Sequence, residues 1–158
     1  MRPIAALQIE YSPFALDIES PNIDLVKTCR ELGVAIVAYS PIGRGVLSGH
    51  IQSFQDIPEG DFRRMFPKYA PANFPKILEL VQGLKGVAQA HDCTPAQVSI
   101  AWLLAQGPDI IPIPGTRSTQ RMDENARSAL LQLTDQELQD LRDLAERTEI
   151  PGERYHSL

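Results

Sequence analysis

The stretch Val34-Ala35-Ile36-Val37-Ala38-Tyr39 restricts the architecture more than any other. It is nearly continuous apolar sequence rich in β-branched residues, the pattern of a parallel strand covered on both faces. Ile4 to Glu10 is a second short apolar run, interrupted by Gln8 and stopped at Ser12-Pro13. Between the two runs, Ser20-Pro21 reads as an N-cap with proline at the first helical position, and Ile23, Val26, Cys29 and Leu32 keep helical spacing up to Gly33. Strand, helix and buried strand make a βαβ unit, so the chain is expected to be α/β with a parallel sheet.

The alternation continues downstream. Asn73 to Ala90 carries Ile77, Leu80, Val81, Leu84, Val87 and Ala88 on one helical face, with Gly83 and Gly86 inside it. Thr94-Pro95-Ala96-Gln97 is a capping box that starts a helix through Trp102, ending at Gly107-Pro108, and its nearly all-round apolar character predicts burial. A third strand, Ile110 to Ile113, leads into a helix from about Ser118. Thr134-Asp135-Gln136-Glu137 is a second capping box, opening a terminal helix with Leu138, Leu141 and Leu144 as its stripe. At 158 residues these elements fit a single domain over 1–158, with 43% hydrophobic residues to supply its core. Between Ser40 and Ala72 neither period is clear, but Phe54, Phe62, Phe66 and Tyr69 favour a packed flap over a linker.

Ile110 to Asn125 concentrates anion-binding chemistry. An apolar strand breaks at Pro114-Gly115 and enters a helix whose unpaired N–H groups attract negative charge, beside Arg117 and Arg121. A net charge of −5 and the lack of a long basic run argue against nucleic acid, and no run approaches the length of a membrane span. Cys29 and Cys93 sit in apolar helical patterns at no metal-ligand spacing, so neither a disulfide framework nor a metal site is expected, and a reducing, cytoplasmic setting is the default.

In a parallel α/β fold, ligands gather beyond the carboxyl ends of the strands. Gly43 and Gly45 there invite a dinucleotide fingerprint, but the third glycine falls at Gly49 and the region near Asp61 has no strand character, so that fingerprint is rejected. Taken in order, Gln8 to Ser12, Ala38-Tyr39-Ser40-Pro41-Ile42-Gly43-Arg44-Gly45 with Leu47-Ser48-Gly49, Thr94 to Gln97 with Ala101 to Leu104, and Ile113-Pro114-Gly115-Thr116-Arg117 through Glu124-Asn125 resemble the carboxy-terminal part of an aldo-keto reductase. The resemblance covers nearly the whole chain. It is nearest to the microbial and plant branch with Ser-Pro-Leu-Gly-Arg-Gly and a closing Gly-Glu-Arg-Tyr, here Gly152 to Tyr155.

The resemblance implies the last three β/α units of a (β/α)₈ barrel plus a C-terminal helix, binding NADPH and reducing aldehydes or ketones. It implies that Gln8 holds the nicotinamide carboxamide and Tyr39 stacks on the nicotinamide. Ser40, Ile42, Gly43 and Arg44 line the pyrophosphate, Thr116, Arg117 and Arg121 hold the 2′-phosphate, and Gln120, Glu124 and Asn125 lie near the adenosine. A barrel needs eight strands in about 250 residues. The family's catalytic Asp, Tyr, Lys and His belong to the earlier half, so no catalytic residue is assigned here, and His50, His91 and His156 match none of that pattern. The chain is therefore expected to be truncated on its N-terminal side, inactive alone, and able to act on a carbonyl substrate only in a completed barrel. The alternative is an inactive fragment or pseudo-enzyme that assembles with another half-barrel through exposed strand edges.

Overall fold

A computed structural model describes residues 4–150, so Gly152 to Tyr155 and His156 lie outside the described residues. Strands β1 (Ala6–Glu10), β2 (Ala35–Tyr39) and β3 (Ile110–Ile113) form a parallel sheet in the order β1-β2-β3. Gln8 lies opposite Val37, and Val37 opposite Ile111. Leu7, Ile9, Ile36, Ala38 and Ile110 pack into the core that the helices cover.

The expectation that β2 is covered on both faces is corrected. Val37 and Tyr39 are only half-buried, and their neighbours on β3, Ile111 and Ile113, are 47% and 41% exposed. Period two governs burial here because, among the described residues, helices pack on one side of the sheet only. This half-covered sheet with helices is part of a barrel, and its second face is the one that would look into the barrel interior.

Helix α1 spans Leu25–Glu31, which corrects the expected start at Ser20-Pro21. The Ser20 carbonyl instead accepts the N–H groups of Ile23 and Asp24 in a turn, and Asp24 takes φ 44° before the helix begins. Ile23 and Leu32 are exposed, so Cys29 alone of the predicted stripe is fully buried, with Val26 packed at the edge of the core.

Helix α2 (Phe74–Ala90) buries Ile77, Leu80, Val81, Leu84 and Ala88, as its period predicts. Thr94 caps α3 (Pro95–Leu104), accepting the Gln97 N–H at 3.3 Å while the Gln97 side chain accepts the Thr94 N–H at 3.1 Å. The same reciprocal pair, Thr134 with Glu137, opens α5 (Asp135–Arg147), and Leu141 and Leu144 of α5 are buried. Cys93 occupies the bend between α2 and α3, not a helix, and both cysteines are free thiols.

Trp102 on α3 is the largest fully buried side chain. The Tyr11 ring meets it in a T-shaped arrangement at 6.0 Å between centroids, and the Arg142 guanidinium lies 4.6 Å from its ring centre. Tyr11 donates its hydroxyl hydrogen to Glu19, and Arg142 pairs with the same carboxylate and with Gln106. Burial, then the Glu19 contact, pushes the Tyr11 pKa well above its ordinary value.

Candidate functional site

The chain leaves β2 through Ser40, which adopts φ 54°, and turns over Gly43–Ser48 in two short helical turns broken by a kink at Arg44 and Gly45, both with positive φ. Gly43 at φ 53° favours glycine, since a side chain is strained in that conformation and a Cβ would press at 3.2 Å on side-chain atoms of both Phe14 and Leu47. Ser99 of the buried helix α3 donates to the Pro41 carbonyl at 2.7 Å and fixes the turn to the core. Leaving β3, the chain passes Pro114 and Gly115 to Thr116, whose hydroxyl accepts the Ser118 N–H at 3.1 Å. Ser118 then caps α4 (Thr119–Arg127), its hydroxyl accepting the Arg121 N–H at 3.4 Å.

These two strand-end turns face one another across a groove of about 620 Å³. It brings together Ser40, Ile42 and Arg44 from the first turn with Thr116, Arg117, Arg121, Glu124 and Asn125 from the second. Four other residues assigned from sequence lie outside its lining. Gly43 is buried behind it with its carbonyl accepting the Tyr69 hydroxyl at 3.3 Å, and Gln120 points from the exposed surface of α4. Gln8 and Tyr39 lie away from it on the open face of the sheet, where Gln8 is exposed and Tyr39 half-buried.

The charges of the groove fall into two kinds. Among the described residues the guanidinium groups of Arg117 and Arg121 form no ion pair, and both side chains are exposed beside the N-terminus of a nine-residue helix. Arg44, by contrast, pairs with Glu10 at 3.7 Å, with its side chain 14% exposed and that of Glu10 11% exposed. Glu124 is also committed, one carboxylate oxygen accepting the Thr94 hydroxyl at 2.7 Å and its backbone carbonyl accepting the Gln97 amide at 3.1 Å. A ligand carrying phosphates at one end suits this arrangement: donor-rich turns, a helix start, and two uncompensated cations.

The flap is packed, as its aromatic residues predict. It runs as short 3-10 turns at Phe54–Asp56, Phe62–Met65, Pro67–Tyr69 and Pro71–Asn73, with Ile57 and Tyr69 buried and Phe62 exposed. Burial raises the Tyr69 pKa above its ordinary value, while the Arg63 guanidinium beside Asp61 holds that carboxyl below its own. Sequence reasoning passed over Gly45, Ser48, His50 and Ser118 as lining residues. Ser118 carried a usable signal, a serine directly before a helix, whereas His50 reaches the groove only through the course of the turn.

Residues 2–146 match the model of the aldo/keto reductase family. The chain belongs to that family. It is 55% identical over 154 residues to aldo-keto reductase str7 of Strobilurus tenacellus, covering 98% of this chain and 46% of that protein. It is 48% identical over 153 residues to aldo-keto reductase yakc of Schizosaccharomyces pombe, whose name carries NADP(+), covering 97% of this chain and 45% of that one. The chain thus spans under half the length of these relatives. The glycerol dehydrogenase AKR11B4 from Gluconobacter oxydans superposes with a TM-score of 0.83 at 23% identity, over 99% of this chain and 47% of that structure, a likeness of fold. The described residues supply three of the barrel's strands, and the groove lies at their carboxyl ends, where (β/α)₈ barrels place their ligands. No described helix is long and apolar enough to cross a membrane.

Proposed function

We propose that this chain is the cofactor-binding part of an NADPH-dependent oxidoreductase that reduces aldehydes or ketones to alcohols. The observation that carries the reading is the pair Arg117 and Arg121, unpaired among the described residues and facing a groove of about 620 Å³ with a glycine turn on its other side. A 2′-phosphate is the group that distinguishes NADPH from NADH, and two arginine forks answer its charge. In this reading Thr116, Arg117 and Arg121 hold the 2′-phosphate, with Gln120, Glu124 and Asn125 toward the adenosine. The turn of Ser40, Ile42, Gly43 and Arg44 borders the pyrophosphate. Gln8 and Tyr39, on the open sheet face, hold and stack the nicotinamide. The bound cofactor supplies hydride to the carbonyl.

Protonation of the carbonyl oxygen falls to residues of the barrel's other strands, so the 158-residue chain alone is inactive as a reductase. The open face carrying Val37, Ile111 and Ile113 favours completion of the barrel by further strands, including the alternative in which another chain supplies them. Two free cysteines suit a reducing, cytoplasmic setting.

The test is direct titration with NADPH and NADH by quenching of Trp102 fluorescence and by calorimetry. NADPH binds more tightly, and Arg121→Met or Arg117→Met weakens it by about tenfold, the scale of one lost charge-assisted hydrogen bond, while NADH changes little. Equal affinity for the two nucleotides, or none for either, overturns the reading.

A further inference from the structure

The flap grips one residue of the glycine turn from several sides. Phe66 and Phe62, themselves edge to face at 5.7 Å, place their rings 4.8 Å and 5.5 Å from the Arg44 guanidinium carbon. The ion pair with Glu10, at the last position of β1, holds the same guanidinium. Arg63 donates through Nη1 to the Arg44 carbonyl at 2.8 Å, and Asp61 fixes Arg63 in that pose by contacts of 2.7 Å and 3.0 Å. Tyr69 donates to the carbonyl of the preceding residue, Gly43. Arg44 itself sits at φ 54°, a backbone conformation that a non-glycine residue keeps only when its surroundings impose it.

We infer that Arg44 is a positioning residue, the pin that joins the flap to the ends of β1 and β2, and that its guanidinium is not one of the groups that neutralise the cofactor's phosphates. The charge is already matched by Glu10, and its flat faces are taken by two rings, so the phosphate-recognising cations of the groove reduce to Arg117 and Arg121. Phe62, Phe66 and Glu10 then set the shape of the pyrophosphate turn without touching a ligand. A lysine cannot take the place of Arg44, because the pin needs a planar group between aromatic faces as well as a charge.

The experiment has one arm that needs no cofactor and one that rests on the proposed NADPH site. In hydrogen exchange on the full chain, Arg44→Met, Arg44→Lys and Phe66→Leu each speed exchange of the amides of residues 61–66 by about tenfold or more, while those of α3 keep their protection and report that the fold is intact. Unchanged exchange in the flap for Arg44→Met overturns the inference. So does exchange that rises equally in α3, since the residue would then hold the whole fold and not the flap. In the second arm the salt dependence of NADPH binding is compared. An ion pair lost from the complex flattens the dependence, so Arg117→Met and Arg121→Met reduce the slope and Arg44→Met leaves it as in the parent chain. A slope reduced by Arg44→Met as much as by Arg121→Met makes Arg44 a phosphate ligand and overturns the inference. Should the parent chain bind no NADPH, the cofactor reading fails by itself and the flap exchange still decides the role of Arg44.

Discussion

Helix α2 contains two glycines three residues apart, and the structure gives alanine substitution opposite signs at the two positions. Alanine favours a helix interior over glycine by about 1 kcal/mol, and that gain is common to both sites. At Gly86 nothing lies within 4 Å of a built Cβ, so Gly86→Ala realises the gain and stabilises by up to about 1 kcal/mol. At Gly83 the Cβ would stand 2.0 Å from Cδ2 of Leu144, far inside contact distance. Leu144 is only 6% exposed and cannot swing into solvent, so it must leave its rotamer or push α5 away from α2. Overpacking of this kind costs about 1–3 kcal/mol, which outweighs the helix gain and leaves Gly83→Ala destabilised by about 0–2 kcal/mol. The two variants should therefore differ by about 1–3 kcal/mol, or about 3 °C in melting temperature for each kcal/mol in a chain of this size. Urea and thermal unfolding followed by far-UV circular dichroism measure both. If Gly83→Ala rises as much as Gly86→Ala, Leu144 yields without cost and the α2–α5 contact is not the close fit described.

Thr94→Ala removes the acceptor for the Gln97 N–H and the donor to Glu124 together, and should lower stability by about 1–2 kcal/mol in urea unfolding, with Thr94→Ser retaining most of it. Alkaline pH should unfold the protein through Tyr11 and Tyr69. Burial raises both folded-state pKa values, so their contribution is intact below the ordinary tyrosine range near pH 10 and declines as pH rises through it, because the unfolded chain releases protons that the folded one retains. Tyrosinate absorbance followed beside circular dichroism should show these two groups ionising only as the fold is lost. Reversible ionisation of every tyrosine with native dichroism would sink that reasoning.

Local chemistry that is strong enough to act alone was legible in the sequence. Thr94 with Gln97 and Thr134 with Glu137 announce two helix starts because each pair satisfies two orphan N–H groups within four residues, whatever the rest of the chain does. The period of α2 and the three strands were visible for the same reason. Ser20-Pro21 carried an equally good local signal and misled, since the Ser20 carbonyl closes a turn on Ile23 and Asp24 and the left-handed Asp24 delays the helix to Leu25. The continuous apolar run of β2 implied two covered faces, and only the sheet's register shows which alternate residues are left open. At the site, sequence identified residues on both walls of the groove. It could not reveal that Arg44 is matched by Glu10, because that pair joins the end of one strand to the turn after another, and the rings of Phe62 and Phe66 arrive from a segment with no period.

The two hydrogen bonds that Glu124 accepts from Thr94 and Gln97 bear on what ligand capture costs. Through them α4, which carries Arg121, is fastened at mid-length to the cap of the deeply buried helix α3. Anchored in this way, α4 adds little backbone ordering to the cost of capture, and immobilising each arginine side chain costs about 0.5–1.5 kcal/mol. Affinity for a phosphate can consequently be tuned from a distance: loosening the carboxylate–hydroxyl contact would turn the arginine-bearing helix from a fixed fixture into a moving one without altering a single group that meets the ligand.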